Sequence, residues 1–426
     1  MTTSSEPDDV GENWAGTYRY AARKVVTVNS VDEVANLVAA GGQVRALGTR
    51  HSFNDLADTS GTLIDLGALR FEPTIDESRQ RVTVPAGMTY GHLGRILEER
   101  GWALANLGSL PHISVGGACA TGTHGSGSHS QNLSAAVCAV ELVVGRGGQL
   151  TLEEDDPRFP GGVVALGALG IATKITLRIE PTYQVRQDVF TDMAWSDLAK
   201  LDSIMDSSYS VSLFTRWNGI VDQVWLKSRV RDNNAEPARP SEGATPAANK
   251  VMSPASDELD NTTIQGGIPG SWNERLPHFR FDETPSNGNE IQSEYFVARE
   301  DGLAALRTLE PLARDFAPHL LISELRTVAA DNLWLSPAYE RDSLTIHFTW
   351  KNQPKAIRQL LPKIEEALKP FKARPHWGKW FAADEIEIAA LYDQLPEFIA
   401  LAHQLDPDGQ FRNDYLSRVL GLEQRT

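Results

Sequence analysis

Cysteine is nearly absent: Cys119 and Cys138 are the only two in 426 residues. A disulfide framework is excluded at that length, and so is a zinc site built from thiolates. Both stand among small or apolar neighbours, which points to buried thiols and not to catalytic ones. Positive charge is also in deficit. Forty Lys and Arg face 56 Asp and Glu, a formal net charge of −16. That field repels polyanions and disfavours nucleic acid and anionic membrane surfaces as partners. No hydrophobic run spans a bilayer, because the longest small and apolar stretch, Gly161 to Thr173, ends at Lys174. Met1 to Glu12 is acidic and lacks the apolar segment of a signal peptide. A soluble cytoplasmic protein is expected, and a monomer, since nothing suggests an obligate assembly. His, Asp and Glu never cluster at metal-ligand spacing, so no metal is expected. No Gly-Lys-Ser/Thr phosphate loop follows a glycine run, and no Gly-x-Ser-x-Gly elbow stands between strand and helix.

What is present is ordinary globular material, 41% hydrophobic and 23% charged, in a chain long enough for two domains. Val25–Val28 and Val44–Leu47 read as strands around a helix opened by the capping box Ser30–Glu33 and stopped at Gly41-Gly42. That is a β-α-β unit. Val82–Val84 reads as a strand, Tyr90–Arg100 as a helix, and Val140–Val144 with Gln149–Leu152 as a hairpin. Between them, Asn106 to Ser130 is too rich in small residues to be core. From about residue 186 the strands lengthen and become aromatic: Val211–Trp217, Val221–Lys227, Ile291–Val297, Leu320–Val328 and Leu344–Trp350, with helices Leu303–Arg314 and Ile357–Leu368. This predicts a domain of antiparallel sheet with helices on one side. Asn233–Thr263 reads as a long irregular loop, and Phe411–Leu416 as a closing strand.

Six segments carry polar chemistry. Gly48–Asn54, directly after a strand, could turn backbone N–H groups toward a ligand phosphate, though alone it serves equally as a polar surface turn with a histidine, His51. Ser109–Gly127 holds five glycines interleaved with Pro, His, Ile and Val, a composition that lets backbone approach a large flat ligand. Gly167–Thr173 could be a cofactor contact or mere tight packing. Glu324 and Arg326 are two apart on one strand, and so are His347 and Thr349 on another; each pair shares a face opposite apolar residues. Either pair alone fits a solvated strand. If the two strands share a sheet, the four groups make a floor for a ligand rich in hydroxyls. Finally, Lys379 in Arg374–Trp380 either snorkels at the surface or sits in a cleft beside Trp377 and Trp380.

Together these segments resemble the vanillyl-alcohol-oxidase type of FAD enzymes, and within it the alditol oxidases that act on xylitol or sorbitol. The resemblance runs from Asn13-Trp14-Ala15-Gly16 to Arg412-Asn413-Asp414-Tyr415, with only Asn233–Thr263 outside it. It implies an α+β fold: a PCMH-type FAD-binding domain of residues 1–185 completed by 380–426, and an antiparallel-sheet substrate domain of 186–379 with flanking helices. FAD would be joined at its 8α position to His51. Its contacts would be Ala46, Leu47, Gly48, Thr49, Arg50 and Ser52; then Ser109, Ser114, Gly117, Ala118, Ala120 and Thr121; then Gly122, Thr123, His124, Gly125, Ile171 and His376. A common form of the attachment loop has Gly where this chain has Arg50. Ser109, Glu324, Arg326, Thr349 and Lys379 would hold a polyol. Lys379 and His347 would stabilise or receive the hydroxyl proton. O2 would be the second substrate, and Gly108 has no side chain to block its path to the flavin. The alternatives are an aldonolactone-type oxidase or dehydrogenase and a flavin-binding protein without turnover. A nucleotide-binding regulator is disfavoured by the charge and by the missing phosphate-loop motifs.

Overall fold

A computed structural model describes residues 10–230, 239–248, 261–283 and 288–423. Near the start, strands Lys24–Thr27 and Val44–Leu47 both pair parallel with Thr62–Asp65, which lies between them. The expected β-α-β unit is therefore present, split by a third strand. Its helix, Val31–Ala39, is capped by Ser30, whose Oγ accepts from Glu33 N–H at 3.2 Å. Glu33 reaches back to Asn29 N–H, one residue before the cap. A five-stranded antiparallel sheet follows, in the order Thr74–Asp76, Arg81–Pro85, Ile171–Arg178, Val137–Val143, Gln149–Glu153. The expected hairpin is the last pair of that sheet.

These elements share one core, which includes Val34, Val82, Leu93, Val140 and Ile175, and from the C-terminal segment Phe398, Tyr415 and Leu416. Arg45, on the strand before Gly48, is buried and donates to Leu56, Leu166, Gly167 and Phe411 carbonyls. One guanidinium thus ties three distant loops behind the Gly48–Asn54 loop. Two expectations fail here. Asn106–Ser130 does enter the core, through Leu107 and through Val115, Ala118 and Cys119, the last three turned inward by a short helix, Val115–Ala120. Phe411–Leu416 is not a strand: Asn413 accepts from Leu416 N–H and starts helix Asp414–Leu420. Both cysteines are buried and free.

The second body is a nine-stranded sheet. Its path runs Thr245–Pro246, Gln184–Ala194, Ile220–Arg229, Ser210–Thr215, Leu320–Val328, Ser343–Lys351, Glu290–Ala298, Arg374–Pro375, with Gly270–Ser271 also on Gln184–Ala194. The pairings are antiparallel. Helices Gly302–Leu309 and Pro354–Leu368 bury Ala305, Leu306, Ile357, Leu361 and Ile364 against one face. The helix expected to reach Arg314 stops at Leu309, and Pro311 follows in a tighter turn, Glu310–Leu312. Most of the loop Asn233–Thr263 falls outside the described residues, although Thr245–Pro246 within it adds an edge strand. Among the described residues no helix is long and apolar enough to cross a membrane.

Candidate active site

The Gly48–Asn54 loop is built by close approaches. A Cβ on Gly48 would stand 2.8 Å from Ser114 Oγ, so the absent side chain lets the loop lie close to the segment from the Gly-rich run. Arg50 has φ +63°, the left-handed conformation that glycine adopts freely. Its guanidinium compensates by donating to Val10 O at 2.7 Å and by lying over the Tyr20 ring at 5.3 Å. Trp14 N–H donates to Arg50 O at 2.8 Å, and Asn13 Nδ2 donates to Ser52 O at 3.0 Å. The segment from Val10 to Tyr20 thus clasps the loop. On the other side Asn54 donates to Trp377 O and Lys379 O, both at 2.8 Å.

His51 is stacked on Trp14, ring centroids 5.2 Å apart. Its Nδ1 lies 3.0 Å from Thr49 Oγ1, and its buried Nε2 has no hydrogen-bond partner among the described residues. Burial, with the nearby His112, pulls His51 down to about 4. The imidazole is therefore neutral near neutral pH, and one ring nitrogen keeps its lone pair.

The floor of the site is the polar face of the large sheet. Strands Leu320–Val328 and Ser343–Lys351 are neighbours, so the two polar pairs do share one sheet. Glu324 lies opposite His347, and His347 lies opposite Glu294. Directly opposed residues point to the same face, and that row of three is the centre of the site. Glu294 is 1% exposed. Its carboxylate receives Lys379 Nζ at 2.5 Å and Arg326 Nη2 at 2.7 Å, with His124 Nε2 at 3.1 Å. Burial alone would raise Glu294; Lys379, Arg326 and His124 outweigh it and hold the carboxyl well below the usual range. Burial lowers Lys379, and Glu294 opposes that pull. The two indoles beside Lys379 are engaged elsewhere, Trp377 with Leu335 O and Trp380 with Phe53 O.

His347 is also buried. Burial and Lys379 push it well below its usual value, so it stands neutral. Gln292 Nε2 donates to Glu290 Oε1 at 2.6 Å, which turns Gln292 Oε1 toward His347 Nε2 at 3.1 Å. The proton is thus on Nε2, and Nδ1 has no partner among the described residues. Arg326 Nη1 reaches toward Ser109 Oγ at 3.5 Å, joining the floor to the Gly-rich run.

One cavity of about 300 Å³ connects these parts. Its lining takes in Ala46 to Ser52, Ser109, Ser114, Gly117, Ala118, Ala120, Thr121, Thr123, His124 and His376, and on the sheet side Glu324, Arg326, His347, Thr349 and Lys379. Gly122, Gly125 and Ile171 are not on its wall. Gly122 packs against Pro337, Gly125 against Asn106 and Leu107, and Ile171 pairs with Val143 inside the five-stranded sheet. The sequence reading also missed Gln292, Glu294 and His278, which line or touch the same space. Gln292 and Glu294 carry the same two-apart signal as the other pairs, but Ser293 between them blurs the alternation.

The sequence pattern of the FAD binding domain family matches residues 22–153, and that of the D-arabinono-1,4-lactone oxidase family matches residues 285–419. An alditol oxidase from Streptomyces sp. (strain IKD472 / FERM P-14339) is 42% identical over 96% of this chain and 98% of its own length. The chain belongs to the alditol oxidase family of FAD-linked oxidases. An L-gulono-1,4-lactone dehydrogenase from Mycobacterium tuberculosis is 29% identical over 97% of this chain and 99% of its own. In fold, the chain is similar to cholesterol oxidase from B. sterolicum, with a TM-score of 0.77 over 99% of both chains at 15% identity. The protein is an FAD-dependent oxidoreductase, with the two-domain architecture of that fold.

The alditol oxidase cavity fits such a cofactor on structural grounds. It is long and largely apolar-walled, through Val140, Leu142, Leu166 and Ile175. His51, whose buried Nε2 has no partner among the described residues, is on its wall.

Proposed function

We propose that this enzyme oxidises a primary alcohol of alditols such as xylitol and sorbitol to the aldose, consuming O2 and releasing H2O2. The observation that carries the reading is the row Glu294, His347, Glu324, with Arg326, Thr349 and Lys379, on the wall of the cavity that also holds His51. Residues 46–52 and the Gly-rich run would hold FAD, with His51 as its covalent anchor, and the bound flavin would supply the hydride acceptor for the alcohol carbon and the route of the electrons to O2. Domain limits of 1–185 with 380–426, and 186–379, go with this reading, as do a cytoplasmic monomer and a small-molecule substrate.

The protein's own groups divide the work. Arg326 and Lys379 offer donors to substrate oxygens, the Glu324 carboxylate accepts from substrate hydroxyls, and Thr349 does both. Ser109 holds the hydroxyl end nearest the reacting carbon. His347 Nδ1, a lone pair without a partner, takes the hydroxyl proton, while the Lys379 ammonium steadies the oxygen as charge develops on it. His347→Gln should lower kcat by about 10²–10⁴ with little change in KM, the usual range for a lost general base. Because burial depresses His347 in the wild type, its base form persists as pH falls. Wild-type kcat should therefore hold level down through the ordinary histidine range. A limb near the unperturbed histidine value would remove His347 from this role.

Gly108 lines the cavity, and a Cβ there would meet no atom closer than 3.7 Å. Gly108→Leu should fold, slow reoxidation by O2 and spare reduction by polyol; equal slowing of both half-reactions would refute an oxygen path at this residue. The competing reading, an aldonolactone oxidase or dehydrogenase, draws on the L-gulono-1,4-lactone dehydrogenase relative and the matched lactone oxidase family. A flavin carrier without turnover has no need of so costly a buried polar cluster. Oxygen uptake with xylitol, sorbitol and L-gulono-1,4-lactone decides: the polyols should give the higher kcat/KM.

A further inference from the structure

Behind Glu324 lies a buried chain of donors that the substrate reading does not use. Lys227, on strand Ile220–Arg229, is 1% exposed. Its Nζ meets Leu276 O at 2.5 Å, Pro277 O at 2.9 Å and His278 Nδ1 at 3.0 Å. Burial pulls Lys227 down to about 7, and its charged and neutral forms both carry N–H donors. The Glu324 carboxylate, held ionised, only accepts, so His278 carries its proton on Nε2 and its Nδ1 accepts from Lys227. That Nε2 stands 2.8 Å from Glu324 Oε1. The chain therefore has one polarity, from Lys227 through His278 to Glu324. The same residue also grips the other domain: the backbone N–H groups of His278 and Phe279 donate to Ser109 O at 3.0 and 3.2 Å. Phe214 and Trp225 pack edgewise on the imidazole, with centroids 5.7 and 5.0 Å away, and limit its rotation.

We propose that His278, oriented by Lys227, is a positioning residue that locks Glu324 as a pure acceptor at a fixed place relative to Ser109. Through that lock the site demands a substrate hydroxyl that donates at Glu324, distal to the reacting carbon. The inference rests on the polyol reading above and adds a specificity determinant to it. The charged and titratable groups facing His278 are Lys227, Glu324 and Arg326, and burial with Lys227 pulls the imidazole to about 4, so it donates as a neutral ring. Glu324 is held low by Arg326 and His278 against its own burial. It therefore stays ionised, with lone pairs left for the substrate. Without the lock the carboxylate can rotate or take up a proton, and a protonated carboxyl donates where the substrate also donates.

The test uses two side chains of similar size on the full-length holoenzyme. His278→Asn puts an amide oxygen near the place of Nδ1, satisfying Lys227, but it is too short to donate to Glu324. His278→Gln reaches Glu324. The Asn variant should raise KM for xylitol about tenfold or more, the worth of a hydrogen bond to a charged group, with kcat little changed. It should leave KM for 1,2-propanediol, which has no distal hydroxyl, where it was. The Gln variant should restore most of the xylitol affinity, and Lys227→Met should repeat the Asn result at unchanged flavin content. An unchanged xylitol KM in the Asn variant would overturn the proposal. So would equal losses for xylitol and the diol, which would mark a merely structural role. Absence of polyol turnover in the wild type would refute the underlying reading and this inference with it.

Discussion

Glu294→Gln is expected to lower kcat/KM for xylitol by about a hundred- to a thousandfold, the cost of removing one partner from a buried ion pair. The reason is the geometry of the row. Among the described residues Glu294 is the carboxylate that touches both Lys379 and Arg326, at 2.5 and 2.7 Å, and its side chain is buried. Without its charge the two cations face each other across a poorly screened gap. The pull that opposes burial at Lys379 is lost, so its proton affinity falls further and its neutral amine form is favoured over the ammonium. The sign of the pH effect follows: the variant should regain activity as pH falls, because acid restores the Lys379 charge. Flavin content should be unchanged, since Glu294 lies on the substrate sheet and not on the attachment loop. Steady-state oxygen uptake across pH checks this. Activity that instead shifts to acid without a loss at its optimum would make Lys379 the base, and His347 a bystander.

His51→Ala should abolish the acid-stable flavin. Wild-type protein, denatured in acid and run on a gel, should carry a fluorescent band, and the variant should carry none. The argument is local. The ring is neutral, stacked on Trp14 and held at Thr49, with one buried nitrogen unused by the protein. Arg50 does not spoil this arrangement: it adopts the left-handed backbone that glycine would, and is fixed by Val10 O and the Tyr20 ring. Flavin that washes off the wild type would refute the covalent bond while leaving the cavity assignment in place.

Much of this was legible in the sequence where function and local pattern coincide. Glu324 with Arg326, and His347 with Thr349, announced themselves by two-residue spacing, and the register of their strands sets them on one face. The hairpin Val137–Val143 with Gln149–Glu153 was equally plain. What the sequence concealed depends on contacts between distant segments. Lys227 is a strand residue among apolar neighbours, and only the fold brings it to His278, 51 positions later. Glu294 shows its importance through three partners from three different segments. Phe411–Leu416 misled because its apolar residues fit a short strand as well as a helix, and the decisive signal was the capping side chain of Asn413. Gly122 and Gly125 lie in the Gly-rich run as well, and their missing side chains make room for Pro337 and for Asn106 with Leu107, contacts that only the fold reveals.

The most direct test of the account is anaerobic mixing of the purified wild-type holoenzyme with xylitol while the flavin's visible absorbance is followed. The account predicts rapid bleaching, full recovery on admitting air, and one H2O2 formed per flavin reoxidised. A flavin that stays oxidised with xylitol and sorbitol but bleaches with an aldonolactone would contradict it.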